Sequence, residues 1–535
     1  MIALSQSRTK EVLAIHGWSG VFLGLLLYAV ILTGVVSVFA HEIGEWSAPL
    51  THNQHELPTT GLDAAIRKAA SEVDPAFHDD LFFFSDTAGR IRAFFHTDEK
   101  REGGSQLEPR GVEFDLDPKT LAVLDRREGW ADEIEQKNLP AALADFFVEL
   151  HVSLHLPNPW GLLVTGILGL AMLVASVTGF LVHRHLIREL FTLRKKKDPL
   201  LVKRDAHVIA GTWNLPFAFV LAFTGSYFSL AGAFAIPAVA MVAFGGDQQK
   251  LIETVVGVSV PEDKTAAPFG NLDAMLADAR QRTGAEPGFV SIGHWGRADA
   301  SVTISMMPMK DKLSGATLIY EGDTAKFVEQ KPALGRVPSL GNDLFLLMTP
   351  LHFGNFAGLW SKVVWVALGF AGAYVTLTGM LLWTTRRADQ PGWGKLARAA
   401  HWMGYGLPLA LAAVPLARFI APMLDVDVRA AQNWTFIAAA VLATAIAWRV
   451  RDLDLLRRTL LGGTGLALLL AVPLRWISGG PGWMMAFDAG LATVIALDIA
   501  LLLAGVLCLR AARRSRTAPL VTTESDALDA EADPA

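Results

Sequence analysis

Cysteine is nearly missing from this chain of 535 residues, where Cys508 stands alone. One thiol excludes an intrachain disulfide framework, a Cys-rich zinc site and an iron–sulfur cluster held by a single chain. No Walker motif occurs. The run Gly462-Gly463-Thr464-Gly465 sits inside an apolar segment with no strand before it, so it is not a dinucleotide fingerprint. Charge is scarce as well. Only 19% of residues are charged against 52% hydrophobic, and mean hydropathy is +0.35. That balance excludes a disordered chain and argues against an ordinary soluble enzyme. The net charge of −5 gives no reason to expect a nucleic-acid partner.

What the chain has in excess is long apolar runs. Stretches such as 17–40 and 156–182 are long enough to cross a bilayer core of about 30 Å. Eight spans are expected, at about 13–40, 156–182, 207–244, 353–384, 399–423, 432–449, 455–474 and 485–509. The first apolar run is too long for a signal peptide and reads as an uncleaved span. Basic clusters occur at Arg8/Lys10, 184–204, 386–398, 449–458 and 510–516, which is every second connection. The positive-inside rule then puts both termini in the cytoplasm, and the expected location is the bacterial inner membrane if the host is a Gram-negative bacterium. Residues 41–150, with 23 Asp/Glu against 11 Lys/Arg, lie outside, as does the segment 245–351.

Both outer segments read as α+β. In the first, a helix-like 62–70 precedes strand-like runs at 81–85, 90–96 and 111–117. In the second, 272–280 precedes 289–293, 300–306 and 316–321. The expected fold is an α-helical membrane protein with two α+β outer domains. Its organisation is residues 1–40 as N-terminus and span 1, and 41–155 as the first domain. Residues 156–244 hold span 2, a basic loop and span 3, and 245–352 the second domain. Residues 353–388 make span 4, 399–510 make four further spans, and 511–535 form a disordered tail.

The order span, domain, span occurs twice. His16 precedes Gly34 of Thr33-Gly34 by eighteen residues, and His207 precedes Gly225 of Thr224-Gly225 by the same number. Likewise His151 and His352 precede Gly179 and Gly379 by 28 and 27 residues. The duplicated core is therefore a four-helix bundle in which each face receives two equivalent histidines. Paired imidazoles from facing helices are a usual means of holding a haem in a bundle. His16 and His207 are the candidates on the cytoplasmic side, and His151 and His352 on the outer side. Gly20 and Gly211, each four residues after a candidate, would let a porphyrin lie close to the backbone. No Cys-x-x-Cys-His exists, so any haem is non-covalent b-type, two in number, with irons about 25–35 Å apart. His155, at i, i+4 from His151, is an alternative outer ligand. His41, His183, His185 and His401 read as interface residues. Asp498, midway through span 8, is a further candidate, either paired with Arg418 or Arg475 or engaged in quinol or proton chemistry.

The motifs His16-x-Trp18-x-Gly20, Leu150-His151-x-x-Leu154 and Pro350-Leu351-His352-Phe353-Gly354 to Trp383 resemble the PepSY-associated transmembrane family. The resemblance covers roughly residues 8–388. It implies two PepSY-like domains and electron transfer outward through haem to iron in a ferric siderophore, as in inner-membrane siderophore reductases. The chain departs from the family pattern at His155, where an aliphatic residue is expected. An external donor, a quinol or a cytoplasmic reductase, is then required, and no catalytic side chain is assigned. Two other readings stay open: a siderophore or metal permease, and a non-redox regulatory PepSY membrane protein.

Overall fold

A computed structural model describes residues 5–48, 57–102, 107–182, 199–246, 261–307, 315–332 and 339–514, together with Phe191, Arg194 and Leu251. The acidic tail, His183 and His185 lie outside them. Among the described residues, eight helices are long and apolar enough to span a membrane. They are span 1 (Gln6–Ser37), span 2 (Trp160–Val182), span 3 (Leu200–Phe244), span 4 (Gly358–Thr385), span 5 (Trp393–Leu424), span 6 (Val428–Arg449), span 7 (Leu453–Ile477) and span 8 (Ala492–Arg513). Span 3 widens into a π-helical turn at Ala231–Ala235. Pro237, two residues after it, has no N–H to give the carbonyl four residues back, and the wider turn accommodates it.

Outside the spans, the two α+β segments are joined more closely than two separate domains. Among the described residues, eight strands form one antiparallel sheet in the order β4-β3-β2-β1-β5-β6-β7-β8. They are β1 (Asp80–Ser85), β2 (Ile91–Lys100), β3 (Leu107–Leu116), β4 (Val123–Trp130), β5 (Pro287–Gly293), β6 (Ser301–Met306), β7 (Thr317–Glu321) and β8 (Phe327–Lys331). The seam is β1 against β5, with Phe82 opposite Ser291. Each half supplies the strand that would otherwise be an open edge of the other, which removes two aggregation-prone edges. Alternation along the strands buries Leu81, Phe83, Phe95, Phe114, Val290, Ile304 and Leu318 in one shared core.

Two helices, Leu62–Ser71 and Leu272–Thr283, cover that core face. Each begins with an apolar residue followed by Asp, and the two aspartates cap each other's helix. Asp63 Oδ1 accepts from Leu272 N at 3.0 Å, while the Asp273 carboxylate accepts from Gly61 N and Asp63 N at 2.6 and 2.9 Å. A carboxylate at a helix N-terminus satisfies orphan donors and meets the positive end of the dipole.

Asp86, in the β1–β2 turn, holds the turn through its Oδ1, which accepts from Ala88 N and Arg90 N. Burial pushes its carboxyl up to about 6, reinforced by Asp115 and opposed by Arg92 and the two amide hydrogen bonds. Because the folded value is raised, its stabilising contribution is complete below about 3.8 and is lost as pH rises through about 6. Asp86→Asn should flatten the melting temperature of the purified protein across that interval. A profile as steep as the parent's would contradict this.

Two short helices, Ala142–Ser153 and Leu340–Phe353, precede spans 2 and 4 and pack among the spans. His151 and His352 therefore do not open those spans, as the sequence suggests. Leu154 and Gly354 end the short helices in left-handed conformation, and the spans restart at Trp160 and Gly358. A Cβ at Gly354 would come within 2.6 Å of Trp365, so this break needs glycine both for its backbone and for its space.

Spans 5–8 brace the first of these short helices. The Arg429 guanidinium donates to Asp145 Oδ2 at 2.7 Å and to the carbonyls of Glu135, Gln136 and Asn138. Leu143, Phe147 and Leu150 share an apolar cluster with Val414, Ala471 and Val494. Tyr28 of span 1 donates to Gly404 O of span 5 at 3.0 Å. The helices beyond residue 399 are thus built into the core rather than appended to it.

Candidate functional site: four histidines on four Thr-Gly seats

Each repeat-related histidine lies on a Thr-Gly pair of its partner helix. His16 rests on span 2, where a Cβ at Gly179 would meet its Cε1 at 3.2 Å. His207 rests in the same way on Gly379 of span 4, at 3.1 Å. On the sheet side, His151 rests on Gly34 at 2.8 Å and His352 on Gly225 at 3.1 Å. Each half of the duplicated core is a pair of helices clasped twice, once near each end. The glycines leave room for an imidazole to lie flat against the neighbouring backbone.

The seats also select a tautomer. His151 Nδ1 donates to Val30 O at 3.0 Å, and His16 Nδ1 donates to Ala175 O at 3.0 Å. His207 Nδ1 lies 3.2 Å from Thr378 Oγ1, and His352 Nδ1 lies 2.9 Å from Thr224 Oγ1. Thr378 donates its own proton to Tyr374 O, and Thr224 donates to Val220 O. A hydroxyl has one proton, so each threonine accepts from the imidazole N–H. All four rings thereby carry the proton on Nδ1 and keep Nε2 as a lone pair. A metal-binding histidine is arranged in this way, with its second nitrogen donating to a carbonyl or other acceptor.

The sheet-side pair meets directly. The His151 and His352 ring centroids are 6.2 Å apart with 27° between planes. Two imidazoles holding one iron from opposite sides at about 2 Å per bond have centroids roughly 6 Å apart. His16 and His207 line one cavity of about 890 Å³ with Gly20, Gly211, Gly179 and Gly379. Ligand pockets commonly fall within about 300–1,000 Å³. A Cβ at Gly20 would meet nothing within 4 Å, so that wall is open to an occupant. The His151/His352 spacing fits two imidazoles on one iron, whereas His16 and His207 are brought together as lining residues of one cavity. Val30 and Gly34 lie fourteen and eighteen residues beyond His16 on span 1, or about 21–27 Å along its axis. That axial separation of the seats straddles the lower bound of the interval of about 25–35 Å and lies mostly below it.

His155 does not share a helix face with His151. The helix stops at Ser153, and both Leu154 and His155 have positive φ. The His155 ring instead lies 4.6 Å from that of Phe146, with Nδ1 3.3 Å from Glu149. His401 donates Nδ1–H to Ala397 O of its own helix at 2.8 Å. Asp498 is fully buried and pairs with Arg475, Nη2 to Oδ2 at 2.7 Å. Trp46 Nε1 and Trp483 Nε1 donate to the same carboxylate at 2.7 and 3.0 Å. Its two oxygens are thus occupied by structural partners.

Sequence reasoning missed Asn214. It lines the cavity seven residues after His207, and its buried Oδ1 has no hydrogen-bond partner. An amide in an apolar run at i, i+7 from a candidate ligand was the available signal, since the two share a helix face.

A family model for the PepSY-associated TM region matches residues 13–386. The chain belongs to this family. The match includes all four histidines and their four Thr-Gly seats. An uncharacterized protein of Pseudomonas aeruginosa is 28% identical to this chain over 398 residues, covering 68% of this chain and 93% of its own length.

The seats can be tested without any cofactor. Gly34→Ala should force the His151 ring aside and destabilise the protein by about 1–3 kcal/mol, the usual cost of overpacking. Gly20→Ala, facing open space, should leave the melting temperature unchanged or raise it, because alanine favours helix. Equal losses for both variants would contradict the seat geometry.

Proposed function

We propose that this PepSY-associated protein carries electrons across the bacterial inner membrane and reduces ferric iron, presented as a siderophore chelate, at the sheet side. Both termini would lie in the cytoplasm, as the alternating basic connections indicate. The observation that carries the reading is the set of four histidines, each held through Nδ1 by a neighbouring helix, with the His151 and His352 rings 6.2 Å apart. His16 and His207 would hold one b haem, and His151 and His352 the other. Bound haem supplies a one-electron Fe(III)/Fe(II) couple.

The chain's own part is to orient the ligands and exclude water. Thr224, Thr378 and the carbonyls of Val30 and Ala175 fix the rings, so ligation involves little reorganisation. Phe228 stands edge-on to His352 at 5.6 Å and shields it. One electron per ferric ion is needed, and a quinol or a cytoplasmic reductase would supply it. Reduction loosens the chelate because hard oxygen ligands hold Fe(III) far better than Fe(II).

The test is an absorption spectrum of the purified full chain from haem-replete cells. Low-spin b-type bands should sharpen on dithionite reduction and be reoxidised by a ferric hydroxamate chelate. A colourless protein would sink the proposal and favour a permease or regulatory role. A coloured protein that no ferric chelate reoxidises would leave the haem and remove the substrate.

A further inference from the structure

A second cavity, of about 580 Å³, opens where the β1–β2 turn meets the sheet-side ends of spans 5 and 7. None of the four histidines lines it. Three arginines do: Arg90 from the turn, Arg418 from the last turn of span 5 and Arg475 from the last turn of span 7. Among the described residues, no Asp or Glu lines it.

Each arginine has a buried nitrogen without a hydrogen-bond partner: Arg90 Nε, Arg418 Nε and Arg475 Nη1. Arg475 is 0% exposed, and its Nε and Nη2 are already committed to Asp498. That carboxylate is shared with Trp46 and Trp483 and has no oxygen left for another cation. Gly480 lies against the free edge of Arg475, where a Cβ would stand 2.9 Å from Nη1. Arg90 and Arg418 act on each other as like charges. Buried guanidinium donors without partners are costly, and like charges brought together add to that cost. An oxyanion removes both penalties at once.

We propose that this cavity binds a phosphate-type oxyanion, with the three guanidinium groups as its donors. Guanidinium forks match the oxygen geometry of phosphate and remain charged throughout the accessible pH range. Phe419, Pro422, Met423 and Ile477 line the same space and offer an apolar wall beside the charged floor. The anion is either the headgroup phosphate of a lipid in the sheet-side leaflet or a soluble phosphate. The site is independent of the haem reading, because it shares no residue with either histidine pair.

The experiment is thermal unfolding of the full chain in an uncharged detergent with two probes. One arm titrates inorganic phosphate against sodium chloride of equal ionic strength. The other adds phosphatidylglycerol or phosphatidylcholine to the micelles. A saturable rise in melting temperature with phosphate beyond the chloride control identifies a soluble anion. A rise with a phospholipid alone identifies a headgroup. In either case Arg418→Gln should abolish the rise and, without ligand, melt no lower than the parent, because it removes a half-buried cation whose buried Nε has no hydrogen-bond partner. Arg90→Gln, in a turn of the sheet, should weaken the response and guards against misfolding of the span variant. No rise with any probe, or a rise that survives both substitutions, would overturn the proposal.

Discussion

His352→Ala should abolish ferric reduction at the sheet side and remove one of two low-spin spectral components. The basis is the direct meeting of His151 and His352, whose centroids are 6.2 Å apart. If the two rings hold one haem iron as proposed, removing either would leave one histidine where two are needed for the low-spin state. His151→Ala should give the same spectrum, and the double variant should add nothing further, since the two act as a unit. His16→Ala should remove the other component and leave this one. Thr224→Val probes the layer behind the ligand. It deletes the acceptor for His352 Nδ1, 2.9 Å away, while keeping the volume. Loss of such an orienting partner typically weakens metal affinity about 10–100-fold. Haem should therefore wash out of Thr224→Val more readily than from the parent, with the spectral type retained. Unchanged spectra in His352→Ala would show that the pair is not a ligand set.

Asp498→Ala should be among the most destabilising single substitutions in the helical region. Asp498 and Arg475 are both fully buried and joined at 2.7 Å, and the indole N–H groups of Trp46 and Trp483 also depend on that carboxylate. Removing one partner of a buried pair leaves an uncompensated charge, at a cost of about 3–5 kcal/mol. The effect should spread, because Trp46 packs against Phe419 at 5.1 Å and joins the cluster that holds the His151 helix. Replacing both members with apolar residues, as in Asp498→Leu with Arg475→Met, should recover most of the loss. Thermal melts of the two single variants and the double variant form the cycle that checks it. A double variant as unstable as Asp498→Ala would mean that the tryptophan contacts, not the charge, carry the effect.

How much of this was legible beforehand varies by element. The eight spans are legible because each is a run of apolar side chains long enough for a bilayer, a property that needs no partner. The histidines and the Thr-Gly pairs could be read as repeating marks, since the two halves place them at matching separations. Their relation could not. Nothing in the spacing of His16 and Gly34 says that each serves the other helix, with His16 on Gly179 and His151 on Gly34. His155 misled because i, i+4 spacing puts two residues on one face only if the helix continues, and here it stops at Ser153. The single sheet was hidden for a related reason. β1 and β5 are some two hundred residues apart, and strand alternation defines a face without naming the neighbour across the edge.

By itself, the sequence determined a duplicated, histidine-bearing membrane core with α+β segments between its spans and one cysteine, too few for an intrachain disulfide. These follow from composition, period and repetition, which act along the chain. Only the tertiary structure decided which helix seats which imidazole, that the two outer segments merge, and that spans 5–8 support the His151 helix. It also decided that Asp498 is a structural partner of Arg475 and that three arginines gather around one cavity. Each of these depends on contacts between distant residues, where packing and charge compensation, rather than local preference, set the outcome.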